Sequence, residues 1–358
     1  MNNKGAKSRR NRVLSWLINL AGILVLVFIL YLGGPKPWQQ MIQGDWRYVL
    51  AAFAVTLIWN LLATYRWLLI VHHLTGGTTI SPFRYFYTYH MIGMLTGQVM
   101  PISIGMLGAR PVALNLATRL PLKRSALSVL LDKLFDLILA LVIVGPVALY
   151  LVGWIRLSLA YELIAGLALL TVVLIAWQYE PVLRWVGKVG ERLSQPLGRM
   201  PVIGERIIHR LQPQFERLSR EAFLSNSVAV WAFIVTLVMY ALLSARLVYM
   251  AEAVRLGIPW HILAMSVAVT QLTLIFSITP GSLGFLEGGW AAVFTLAGLT
   301  LEQFTTFVIA RRAYFLVFTV IGTLLAFAWI RESPAHLFRA VLSSAGGSGQ
   351  GENSERQA

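Results

Sequence analysis

Apolar residues along this chain come in blocks, and polar residues gather between them. Six blocks approach or exceed the roughly 20 residues an α-helix needs to cross a bilayer's hydrocarbon. They are 13–32, 49–71, 125–151, 157–177, 222–244 and 304–330. Two further apolar regions are each interrupted once. Segments 85–100 and 111–124 are joined by PISIGMLGAR, and 261–279 and 285–299 by PGSLG. The pattern predicts an all-α, polytopic integral membrane protein, with about six full spans and two broken helical pairs.

The polar intervals divide the rest. Residues 1–12 form a basic N-terminus ahead of a membrane domain over 13–332. Within that domain, 178–221 alternates basic residues with Glu180, Glu191, Glu205, Glu216 and Glu221, and Pro196, Pro201 and Pro213 divide it. Trp185, Val189 and Leu193 suit an amphipathic face lying on a membrane; a plain helical connector fits the same pattern. Residues 333–358 end in SSAGGSGQGENSERQA, whose composition predicts a disordered tail.

Composition sharpens this picture. Only 13% of the 358 residues are charged, against about 25% in a typical soluble domain. No cysteine is present, so disulfides, thiolate nucleophiles and cysteine-ligated metals are excluded. The net charge of +15 sits largely beside apolar blocks. Anionic lipid headgroups suit that distribution better than nucleic acid does. The first apolar block is longer than a signal-peptide core and no small-x-small cleavage site follows it. It reads as a retained helix, with Lys4, Lys7, Arg9, Arg10 and Arg12 cytoplasmic.

Charge also bears on the broken pairs. If 85–103 crossed fully, Arg110, Arg119, Lys123, Arg124 and the basic 178–221 segment would fall outside, against the positive-inside rule. A re-entrant hairpin over 85–124 keeps them all cytoplasmic. The second pair, 261–299, leaves a cytoplasmic C-terminus whether it re-enters or spans twice. Interrupted backbone must be shielded from lipid by protein or water, which places such hairpins inside the bundle. Pro101, Gly105 and Leu107 match Pro280, Gly284 and Leu286 in spacing, and this raises an inverted repeat.

The breaks and their neighbours hold the candidate chemistry. In the first, Pro101 removes an amide, while Gly105 and Gly108 permit close backbone approach. Arg110 precedes Pro111 at a helix start, where an anion would satisfy both the cation and exposed amides. An interfacial arginine reaching for headgroups is the alternative. In the second, Gly281 and Gly284 open the backbone and Glu287 falls in the next helix's first turn. Arg311 and Arg312 lie in the following apolar block, and one of them is expected to pair with Glu287. Asp132 and Asp136 share one helix face, suiting a cation, a proton or the hairpin arginines. Gln98 and Gln271 precede the two breaks and are candidates to line a cavity or satisfy freed backbone groups. Arg66 reads as a snorkelling residue near a span's end, and His72 with His73 does not make a metal site. Metalloprotease, nucleophile-elbow, phosphate-loop and dinucleotide signatures are missing.

In order, PISIGMLGAR, SVLLDKLFDLILAL and ITPGSLGFLEGG resemble three motifs of one family: the membrane region of lysylphosphatidylglycerol synthases and their stand-alone flippase-like relatives. The resemblance covers most of 12–332. It implies about eight helical elements, some re-entrant, and movement of a lipid between leaflets. The matched positions are Pro101, Gly105, Gly108, Arg110, Asp132, Asp136, Pro280, Gly281, Gly284, Glu287 and Gly288. The family's first motif often carries an acid shortly before its arginine; here Leu107, Gly108 and Ala109 stand there. No soluble aminoacyl transferase domain is evident, so the chain is not expected to make lysylphosphatidylglycerol by itself.

These readings converge on translocation of a phospholipid or lipid-linked anionic substrate across a bacterial inner membrane, with both termini cytoplasmic. No cofactor is expected. The alternatives are an intramembrane transferase using a lipid-linked donor, and an accessory protein for envelope synthesis. Envelope-synthesis proteins and a second copy of the chain are the candidate protein partners.

Overall fold

The computed structural model describes residues 34–77, 82–99, 108–118, 120–198, 224–275 and 281–330, with isolated positions beside them and backbone alone over 178–198. Outside the described residues lie most of the predicted 13–32 helix, Pro101 and Gly105, Pro280, and the regions 199–223 and 331–358.

Every regular element among the described residues is helical. In chain order they are α1 (Lys36–Ile42), α2 (Trp46–Leu74), α3 (Phe83–Val99), α4 (Arg110–Thr118) and α5 (Leu122–Leu151), then α6 (Leu157–Gly198), α7 (Asn226–Ala253), α8 (Trp260–Ile275), α9 (Phe285–Leu296) and α10 (Leu301–Ile330). Five of these contain apolar stretches long enough to span a membrane: Trp46–Leu74, Arg124–Leu151, Leu157–Trp177, Asn226–Ala253 and Leu301–Ile330. Two shorter apolar helices lie over 260–274 and 285–296. The chain is thus an all-α, polytopic membrane protein.

The burial pattern suits lipid as the outer solvent. Leu163, Leu167, Leu169, Leu170 and Val173 of α6 are exposed, and Trp154 and Trp177 bracket that apolar stretch. Indole rings favour the two headgroup boundaries. Inside, several threonine hydroxyls are satisfied locally. Thr56, Thr64, Thr236, Thr319 and Thr323 each donate to the carbonyl four residues earlier, a bond that removes a hydroxyl's need for water.

Helices α2 and α7 form the most extensive pair. Around them the short helices are enclosed by long ones: α3 lies against α10, α2 and α4, while α8 lies against α9, α5 and α7. Two points of helix continuity were not in the sequence reading. The amphipathic stretch that begins at 178 is helical as far as Gly198 and continues the preceding span as one α6. A short α1, carrying Pro37 in its first turn, precedes the second predicted span. Proline supports that position because its fixed φ suits a helix start.

Candidate functional site

Two buried charge clusters occupy the interior, each beside one broken helical pair. In the first, α5 presents Asp132 and Asp136 one turn apart. Arg66 of α2 reaches both: Nε donates to Asp132 Oδ1 at 2.8 Å, and Nη1 to Asp136 Oδ1 at 2.7 Å. Nη1 also donates to Thr236 Oγ1 on α7 at 2.6 Å. Arg66 is fully buried, so the expectation that it snorkels is wrong. Helix α2 runs on to Leu74, which leaves Arg66 about two turns inside it, and its side chain turns toward α5.

Arg110, at the start of α4, donates from Nη1 to Asp132 Oδ2 at 3.1 Å. Its guanidinium carbon lies 4.1 Å from the Trp67 ring centroid, and Trp67 Nε1 donates to Ser128 Oγ at 3.0 Å. The arginine is fully buried rather than interfacial, and its Nε and Nη2 have no partner among the described residues. Lys133 Nζ contacts Asp136 Oδ2 at 2.9 Å, and Tyr240 donates to the Asp136 carbonyl at 3.0 Å. Of the roles expected for the two acids, pairing with a hairpin arginine is the one found for Asp132, which Arg110 shares with Arg66, while Asp136 is held by Arg66 and Lys133. His90, buried on α3, meets Asn60 Oδ1 through Nε2 at 3.0 Å, while its Nδ1 lacks a partner.

The second cluster forms where α9 begins. Glu287 is buried, and its Oε2 accepts the Gly284 amide at 2.8 Å. Its Oε1 is held by Arg312 Nε and Nη2. Of the two arginines expected as partners, Arg312 is the one that pairs. The backbone before α9 turns through left-handed conformations at Gly281, Ser282 and Gly284. Glycine is needed at 281 for a second reason: a Cβ there would lie 3.1 Å from the Gln98 carbonyl at the end of α3. The end of α3 thus meets the second break, backbone to backbone.

Other predicted positions have different surroundings. Gly288 faces open space, whereas a Cβ on its neighbour Gly289 would press on Thr273 at 3.0 Å and Thr270 at 3.3 Å. Gly289, not Gly288, sets the approach of α9 to α8. Gly108 has no atom of a described residue within 4 Å of the Cβ position. The Gln98 side chain folds back on its own helix, Nε2 to the Met94 carbonyl at 3.4 Å, and Gln271 is half-buried on α8.

Arg311 is buried with no carboxylate partner among the described residues. Its guanidinium lies 4.4 Å from the Trp290 centroid and 5.3 Å from that of Phe315. Arg246 of α7, absent from the sequence-based candidates, lies 5.5 Å from the same Phe315 and 5.9 Å from Trp59. Trp59 in turn neighbours His90, their centroids 6.1 Å apart. Polar and aromatic groups therefore run in contact from Asn60 through His90, Trp59, Arg246 and Phe315 to Arg311. Arg246 was detectable in principle, because an arginine within the strongly apolar run before Ala251 is unusual.

Among the described residues, no group of three or more histidines or carboxylates is placed to hold a metal ion. In comparison with known proteins, the model of the lysylphosphatidylglycerol synthase TM region matches residues 16–322. That interval includes both charge clusters and all of the motifs above. No curated protein and no solved structure matches the chain.

Proposed function

Because this chain belongs to the lysylphosphatidylglycerol synthase TM region family, we propose that it moves a phospholipid or lipid-linked anionic substrate between the leaflets of a bacterial inner membrane. The observation that carries this reading is the meeting of the two broken pairs at Gln98 and Gly281, with buried charge on both sides. In this reading the pairs are re-entrant hairpins from opposite membrane faces. Their short helices give a polar headgroup a route through the bundle while acyl chains stay in lipid. Broken helices are tolerated at membrane depth where they line such a cavity.

The ion pairs give the route two closed positions. Arg110 has two guanidinium nitrogens with no partner among the described residues, so an arriving phosphate is able to bind it without first displacing Asp132. At the other break, exchange of Arg312 between Glu287 and a phosphate would free the Gly281–Gly284 turn. Asp132, Asp136 and Glu287 act as counter-charges that keep the empty route stable. A transferase would need a free intramembrane carboxylate as its base. All three are engaged by cations, which favours transport.

The test uses purified protein in sealed liposomes with headgroup-labelled anionic phospholipid in both leaflets. A membrane-impermeant quencher should reach extra label in the presence of the protein, and the Glu287→Ala variant should lose that gain. Folded protein in sealed vesicles that exposes no extra label would remove translocation of that lipid from the reading.

A further inference from the structure

The charges inside this protein do not balance, and the imbalance is local. Arg66 and Arg110 are matched by Asp132 and Asp136. Arg312 is matched by Glu287. Lys133 is about one-third exposed and already contacts Asp136. Arg246 and Arg311 remain, over nine-tenths buried, with no ion pair or hydrogen bond to any described residue. The sequence offers no hidden counter-ion in the breaks, since neither 100–107 nor 276–280 contains an acid. An arginine stays charged in proteins, and a buried charge without a partner is costly.

The hydrogen-bond inventory points the same way. Nε of Arg246, Nε of Arg311, Nε1 of Trp59 and Nε1 of Trp290 are all buried donors lacking an acceptor among the described residues. The two tryptophans are the rings against which those two arginines lie, and Phe315 touches both guanidiniums. Such a set, all donors and two positive charges, complements a group that only accepts and carries two negative charges.

We propose that Arg246 and Arg311, with Trp59 and Trp290, form a binding site for a doubly negative phosphate group, a phosphomonoester or a diphosphate. This deepens the translocation reading and rests on it for the claim that the group belongs to the transported molecule. A singly charged phosphodiester headgroup would neutralise only one of the two arginines. The cation–aromatic contacts hold the guanidiniums in place while the site is empty.

The experiment follows thermal unfolding and binding of the full chain in detergent at about pH 8, where a phosphomonoester is doubly charged. The probes are dioctanoyl phosphatidic acid, dioctanoyl phosphatidylglycerol and inorganic pyrophosphate. Phosphatidic acid should bind about tenfold more tightly than phosphatidylglycerol and raise Tm further. Arg246→Met and Arg311→Met should each abolish the preference while leaving the empty protein's Tm unchanged or higher, because an uncompensated charge has gone. Arg246→Lys keeps the charge and should keep most of the preference; it also serves if a methionine variant fails to fold. Competition by pyrophosphate would assign the site to soluble phosphates, and binding of phosphatidic acid alone to a lipid headgroup; both sustain a dianion site. Equal affinity for the two lipids would overturn the proposal. So would methionine variants that melt earlier yet keep the preference, since the arginines would then be structural. Selective phosphatidic acid binding without lipid exposure in the liposome assay would remove translocation and leave the site standing. Translocation without selectivity would do the reverse.

Discussion

Arg66 and Asp132 are 66 positions apart in sequence, and their side chains meet at 2.8 Å with neither reaching solvent. The same guanidinium bridges to Asp136 and Thr236, so one side chain from α2 ties together α5 and α7.

Removing that bridge should be among the most destabilising single changes in the protein. Arg66→Met leaves Asp132 with Arg110 and Asp136 with the partly exposed Lys133. The expected loss is about 3–5 kcal/mol, as for other broken buried pairs. Arg66→Lys should not rescue it, because an ammonium cannot span both carboxylates as a planar fork does. Thermal unfolding in detergent, read by tryptophan fluorescence, checks both. A lysine variant as stable as the parent would contradict the bridging role.

Two glycines near the start of α9 should respond to alanine with opposite signs. Gly281 has φ +56° and a Cβ position 3.1 Å from the Gln98 carbonyl, so Gly281→Ala should cost about 1–3 kcal/mol. Gly288 is exposed within the helix, with nothing within 4 Å. There, alanine should stabilise by about 0.4–1 kcal/mol. The pair is measured side by side, and lipid exposure in the liposome assay should fall for Gly281→Ala only.

Glu287 both caps α9 and holds Arg312. Glu287→Gln retains an oxygen for the Gly284 amide but leaves Arg312 without a counter-charge, at a cost of about 1–3 kcal/mol. A double-mutant cycle with Arg312→Gln should give a coupling of about 0.5–3 kcal/mol. Strict additivity of the two variants would show that the contact contributes nothing to stability.

Trp67 supports Arg110 from below and donates to Ser128. Trp67→Phe keeps a ring beneath the guanidinium and loses one hydrogen bond, about 1 kcal/mol. Trp67→Leu also removes the ring face, for up to about 2 kcal/mol more. The order Trp, Phe, Leu in Tm tests this; equal losses for both variants would mean that the ring face does not support Arg110.

Much of the architecture was legible in the amino-acid order. The apolar blocks 125–151, 157–177 and 304–330 correspond to α5, the first part of α6 and α10, because a helix in lipid needs a long run without charge. The interruption at 281–284 separates α8 from α9, because glycine there turns the backbone out of helical geometry; the one at 101–110 lies largely outside the described residues. Block edges were less legible. The second span begins at Trp46 and the fifth ends at Ala253, where aromatic and charged residues dilute the apolar signal without ending the helix.

Pairing was decided elsewhere. Sequence alone marks Asp132, Asp136, Glu287, Arg311 and Arg312 as charges set in apolar surroundings, and the family match covers them all. It does not tell Arg311, which lies on Trp290, from Arg312, which holds Glu287. Adjacent residues on a helix point about 100° apart, so their fates depend on which neighbour each one faces. The same holds for Arg66, whose position near a predicted helix end suggested solvent until the packing of α2 on α5 and α7 turned it inward. Composition and spacing determine which segments are helices and where they break; only the tertiary packing decides which buried charges are neutralised, and which two have no partner among the described residues.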